Sequence, residues 1–75
     1  MKSVAAVLKD PRAYRKQLGM TQADFWELFG VTQSGGSRYE TGRSMDVPLR
    51  TLLALHVSGH AELVAKAIKS TFNLG

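Results

Sequence analysis

Residues 21–43 read TQADFWELFGVTQSGGSRYETGR, two short helix-forming runs on either side of a glycine turn. Thr21 stands where an N-cap belongs, Asp24 follows three residues on as in a capping box, and Met20 and Phe25 occupy the two positions of a hydrophobic staple. Gly30 stops this run after about two turns. Thr32 then caps a second run, Gln33 to Glu40, which ends at Gly42. Two helices so close together predict a helix-turn-helix, in which the second helix enters the major groove while the first crosses the DNA backbone. The polar character of the second run agrees. A structural helix of this length shows an apolar stripe, whereas Gln33, Ser34, Ser37 and Arg38 make this one mostly hydrogen-bonding. Gln pairs bidentately with adenine, Arg with guanine, and Ser with either. The rival reading, a solvated surface helix, leaves the concentration of polar groups beyond the turn without a reason.

Working outward, Asp10-Pro11 reads as an N-cap followed by proline at the first helical position, and Gly19 as a left-handed stop, giving a helix over about 11–18. After an irregular stretch from Arg43 to Val47, Pro48 opens a segment in which Leu49, Leu52, Leu53 and Val57 recur at helical spacing. A last helix over about 61–71 places Leu63, Val64, Ala67, Ile68 and Phe72 on one face. Residues 1–9 form either a short helical turn or a flexible arm. The expectation is an all-α, compact bundle of four to five short helices in a single domain over 1–75. Its helix-turn-helix core covers about 15–57, and 58–75 forms a C-terminal helix and tail.

The chain has 75 residues, 44% hydrophobic and 21% charged, which fits one folded domain and excludes a two-domain enzyme. So small a core leans on disulfides, a metal, tight helical packing or a second subunit. There is no cysteine, and His56 and His60 with scattered carboxylates do not make a structural zinc site. With Ser58-Gly59 completing the interval between them, those two histidines read as surface or capping residues. No metal or cofactor is expected. The net charge of +4 favours a polyanionic partner, though mildly, and residues 1–43 carry +3 of it. Val4 to Leu8 is too short to be a signal peptide, and no stretch approaches the roughly 20 apolar residues of a membrane span, so a cytoplasmic location without membrane contact is expected.

The chain also resembles a known family, the lambda-repressor and Cro-like (XRE-family) helix-turn-helix transcriptional regulators. The match runs from about Arg15 to Val57 through Arg15, Leu18-Gly19-Met20-Thr21-Gln22, Gly30-Val31-Thr32-Gln33-Ser34, Ser37-Arg38-Tyr39-Glu40 and Gly42-Arg43. The resemblance implies a helical bundle that binds double-stranded operator DNA as a homodimer. It implies base readers at Gln33, Ser34 and Arg38, with Ser37 reaching the backbone or a base edge. Phosphate contacts follow at Gln22, Thr32 and Arg43, with Thr41 and Ser44 weaker candidates. Arg15 and Glu40 match a family ion pair that fixes the orientation of the reading helix and reads no base.

Two positions depart from the family. Trp26 stands where a small residue is usual, and Gly36 where a β-branched residue is usual, at sites that face each other across the turn. A reciprocal exchange of large for small, with the indole filling the volume Gly36 vacates, would keep core density. The alternative is an exposed Trp26 stacking on a partner. Gly35-Gly36 either softens the reading helix until DNA orders it or meets two steric needs, Gly36 yielding to Trp26 and Gly35 allowing close approach to the groove wall.

The C-terminal stripe Leu63, Val64, Ile68, Phe72 and Leu74, helped by Val4, Val7 and Leu8, is either a dimer interface or the completion of the monomer's core. The function expected is sequence-specific regulation of transcription, as a repressor, without catalysis. Alternatives are the antitoxin of a toxin–antitoxin pair, with a protein partner on the C-terminal helix, and an interaction module that has lost DNA binding.

Overall fold

A computed structural model describes residues 3–73, which fold into six α-helices: α1 Val4–Lys9, α2 Pro11–Gln17, α3 Gln22–Glu27, α4 Gln33–Glu40, α5 Val47–Val57 and α6 Ala61–Asn73. The expected four to five helices become six because the N-terminal segment is itself a helix. Ser3 caps it, its hydroxyl accepting from the Ala6 N–H at 3.1 Å, and a helix this short is not stable alone. Tertiary packing supplies the rest, since Val7 is fully buried and α1 lies along α5. Asp10 ends α1 through its backbone N–H and starts α2 through its side chain, which accepts from Ala13 N at 3.2 Å. Asp46 caps α5 in the same way, accepting from Leu49 N at 3.0 Å.

The core is built from Val7, Phe25, Trp26, Phe29, Leu49, Leu53 and Val64. Three of these seven are aromatics of α3 and its C-terminal turn, so the first helix of the helix-turn-helix is also the centre of the fold. Phe25 packs edge-on to Trp26 (centroids 5.1 Å apart), Phe29 (5.2 Å) and Tyr14 (6.0 Å). The α6 stripe divides. Val64 is buried and Ile68 packs against the core, while Leu63 and Phe72 are 53% and 67% exposed; Leu74 lies outside the described residues. Periodicity identified the face, and the 3.6-residue repeat spreads these side chains over an arc too wide for α3 and α5 to cover. Val7 and Leu8 also turn inward. Among the described residues, no helix is long and apolar enough to cross a membrane, and no three potential ligands gather as at a metal site.

His56 corrects the expectation of a surface or capping histidine. Its Nδ1 lies 2.8 Å from Tyr14 Oη, and its ring packs edge-on to Tyr14 and Phe29, joining α5 to α2. Burial pushes the His56 pKa below its usual 6.5. The unfolded chain therefore takes up a proton that the folded chain refuses, so stability is whole above about pH 6.5 and falls as pH drops through the lower folded value. The melting temperature should decline between neutral and mildly acidic pH, and His56→Gln should flatten that limb. An unchanged limb in the variant would remove His56 as its cause.

Candidate nucleic-acid interface

The helix-turn-helix is set by local chemistry at four points. Thr21 Oγ1 accepts from Asp24 N at 3.2 Å to start α3, and Thr32 Oγ1 accepts from Gly35 N at 3.1 Å to start α4. Between them Gly30 adopts φ +72°, a left-handed conformation that costs glycine little, which lets Val31 N–H return to Trp26 O at 3.0 Å and close α3. Past α4, Gly42 at φ +119° allows the equivalent return from Arg43 N–H to Arg38 O at 3.0 Å.

The two glycines inside α4 answer to packing. A Cβ built on Gly36 would overlap Trp26 Cδ1 and Cγ and lie 2.7 Å from Nε1, so the buried indole occupies the space that a side chain here would need. The exchange expected from the sequence is thus present, and the exposed-Trp26 alternative is not. Gly35 has close neighbours of its own within the chain. Its Cβ would come within 3.1 Å of Val31 Cγ1 and 3.3 Å of Thr32 Oγ1, so its smallness fits the helix start under the turn.

Glu40 holds α4 in place. Its side chain is only 3% exposed and receives four hydrogen bonds, from Arg15 Nε (2.8 Å) and Nη2 (3.0 Å), Gln22 Nε2 (3.1 Å) and Trp26 Nε1 (2.8 Å). Arg15 Nη1 also donates to Met20 O at 3.0 Å, so one carboxylate gathers α2, α3 and α4. Burial raises the Glu40 pKa, but the bonds from Arg15, Trp26 and Gln22 and the guanidinium charge together bring it below its ordinary value. The hydrogen bond to Glu40 correspondingly raises Arg15, against burial. Sequence reasoning missed the indole bond. The available signal was that a buried Trp N–H needs an acceptor, and Glu40 is the one carboxylate of α4.

Clamped this way, α4 turns Gln33, Ser34 and Arg38 to solvent with Ser37 half-buried beside them. Among the described residues, no hydrogen bond engages these four side chains, and the single ion pair is Arg15–Glu40, which leaves Arg38 and Arg43 without a carboxylate. Of the remaining expected phosphate contacts, Gln22 has one amide N–H committed to Glu40 and a second left to donate. Thr32, whose oxygen accepts from Gly35, keeps its hydroxyl proton. Thr41 does not: its hydroxyl donates to Ser37 O at 3.0 Å and Arg38 O at 3.1 Å, closing α4.

A family model described as an RsaL-like HTH domain matches residues 12–56, from early α2 to late α5. No curated protein and no solved structure matches the chain. The matched segment covers more than half of the 75 residues and contains both helices of the helix-turn-helix and the Arg15–Glu40 clamp, so the chain belongs to the RsaL-like helix-turn-helix family of DNA-binding domains.

Proposed function

We propose that this protein is a sequence-specific transcriptional repressor, acting in the cytoplasm without catalysis, that reads a pseudo-palindromic operator as a homodimer with α4 in the major groove. The observation that carries the reading is the contrast within α4 between a clamped inner face at Glu40 and uncommitted hydrogen-bonding groups at Gln33, Ser34, Ser37 and Arg38. Gln33 and Arg38 are the main base readers, and the second N–H of Gln22, the Thr32 hydroxyl and Arg43 take phosphates. The resemblance to lambda-repressor and Cro-like regulators supports this docking. One such module reads few base pairs, and two-fold symmetric pairs read half-sites about 34 Å apart. The exposed Leu63 and Phe72 of α6 offer an apolar surface for that pairing. The same pair of side chains supports a second reading, an antitoxin that holds its toxin through α6.

Selection from a random DNA pool should return a motif with two related half-sites. Arg38→Ala and Gln33→Ala should each relax preference at one base pair, at a cost of about 1–3 kcal/mol. Arg43→Ala should weaken all sequences alike and reduce the salt dependence by about one phosphate contact per protomer. A pool that shows no enrichment at low salt would move the function to protein interaction.

A further inference from the structure

Beside the C-terminal end of α4 lies an open groove of about 480 Å³ whose lining includes Leu8 and Lys9 of α1, Tyr39 of α4, Arg43 and Ser44 of the following loop, and Arg50 of α5. Three cationic residues from three elements line it, and no carboxylate does. The acidic residues nearest in sequence, Asp10 and Asp46, are turned to helix capping, accepting from Ala13 N and Leu49 N. The only ion pair among the described residues is Arg15–Glu40, so none of those residues forms an ion pair with Lys9, Arg43 or Arg50. The negative end of a helix dipole amounts to about half a charge, so three cations exceed what α4 itself calls for.

The groove also adjoins the C-terminal end of α4. Arg43 N–H is bonded to the carbonyl of the base-reading Arg38 at 3.0 Å, so the cations continue the reading helix beyond its last turn. Phosphates line both edges of a major groove that holds a helix. Burial fixes the supports, with Val7 fully buried beside Lys9 and Leu49 6% exposed beside Arg50.

We propose that Lys9 and Arg50 join Arg43 in a clamp for backbone phosphate. This makes α1, whose Lys9 lies outside the family segment 12–56, part of the DNA interface. The inference rests on the DNA-reading role of α4 and adds two cationic contacts to it.

The test is the affinity of the full chain for its selected operator across about 50–200 mM salt. Lys9→Gln and Arg50→Gln should each lower the slope of log affinity against log salt by about one per protomer and so about two for the homodimer, equivalent to about tenfold less loss over that range, without changing the ranking of operator variants. Lys9→Arg should keep the parent slope, as should Lys66→Gln on α6. An unchanged slope in the Lys9→Gln/Arg50→Gln double variant, with the parent still binding, overturns the clamp alone; so does an equal loss in Lys66→Gln. A parent chain that binds no DNA overturns the α4 reading and the clamp together. Titration with inorganic phosphate in the absence of DNA, followed by backbone amide shifts, covers the other source of the same chemistry. Saturable phosphate binding lost in the double variant, with an unchanged DNA slope, assigns the groove to a free anion and overturns the proposal.

Discussion

Glu40→Ala is expected to destabilise the domain by about 3–5 kcal/mol, the usual cost of removing one member of a buried ion pair. Domains of this size have about 4–11 kcal/mol in total, so the variant should melt well below the parent and lose its helix at a much lower urea concentration. The cost arises from what remains. Arg15 keeps its charge with a side chain 12% exposed, and the Trp26 indole N–H, in a fully buried residue, loses its acceptor. Glu40→Gln should be intermediate, because it keeps one acceptor oxygen but presents an amide to four donors. Arg15→Met/Glu40→Leu should lose less than the sum of its single changes, since apolar replacement removes both charges together. A pH series gives an independent check. The folded carboxyl has a lowered pKa, so its contribution is whole above the ordinary glutamate value of 4.5 and disappears as pH falls through the lower folded value. Glu40→Ala should therefore flatten the strongly acidic limb and leave the His56 limb near neutrality in place. A variant within about 1 kcal/mol of the parent would show that the four hydrogen bonds do not hold α4.

The parts of the fold legible in the sequence are those decided within a few residues. Thr21, Thr32 and Asp10 cap helices, and Gly19, Gly30 and Gly42 have the positive φ that ends them, because capping is a matter of neighbouring backbone groups. Parts decided by distant partners were not legible. His56 is half-buried and tied to α2 on account of Tyr14, 42 positions away, and α1 is a helix on account of α5. Leu63 and Val64 are adjacent and apolar, yet only the latter is buried, which composition does not distinguish. The site divides similarly. The outward residue types of α4 follow from its sequence, whereas Lys9 and Arg50 reach its end only through packing. The Trp26–Gly36 exchange could be read because both halves depart together from a known pattern. Its link to Glu40 was missed, because that resemblance offers a small residue where the indole stands and so no donor to match to the one carboxylate of α4.

The second large effect belongs to that exchange. Trp26→Ala should cost about 3–5 kcal/mol through the cavity it leaves, and it also takes a donor from Glu40. Gly36→Ala tests the same contact from the other side. Helix propensity alone predicts a gain of about 1 kcal/mol for replacing a helical glycine, so any loss must come from the contact with the indole. The ring has little freedom to move aside, held by Nε1 at Glu40 and packed against Phe25, Phe29 and Tyr39 at centroid distances of 5.1, 6.2 and 5.6 Å. The strain must then pass to the α4 backbone. Gly36→Ala is accordingly expected to lose about 1–3 kcal/mol net and Gly36→Val more. In the fraction that remains folded, α4 should tilt and discrimination among operator variants should weaken more than total DNA affinity. The decisive comparison is Trp26→Ala/Gly36→Val, which restores a small residue facing a β-branched one. It should be more stable than either single variant because the new side chain enters the cavity left by the indole. Additive losses in the double variant, or a Gly36→Ala chain more stable than the parent, would show that the two residues do not share one volume.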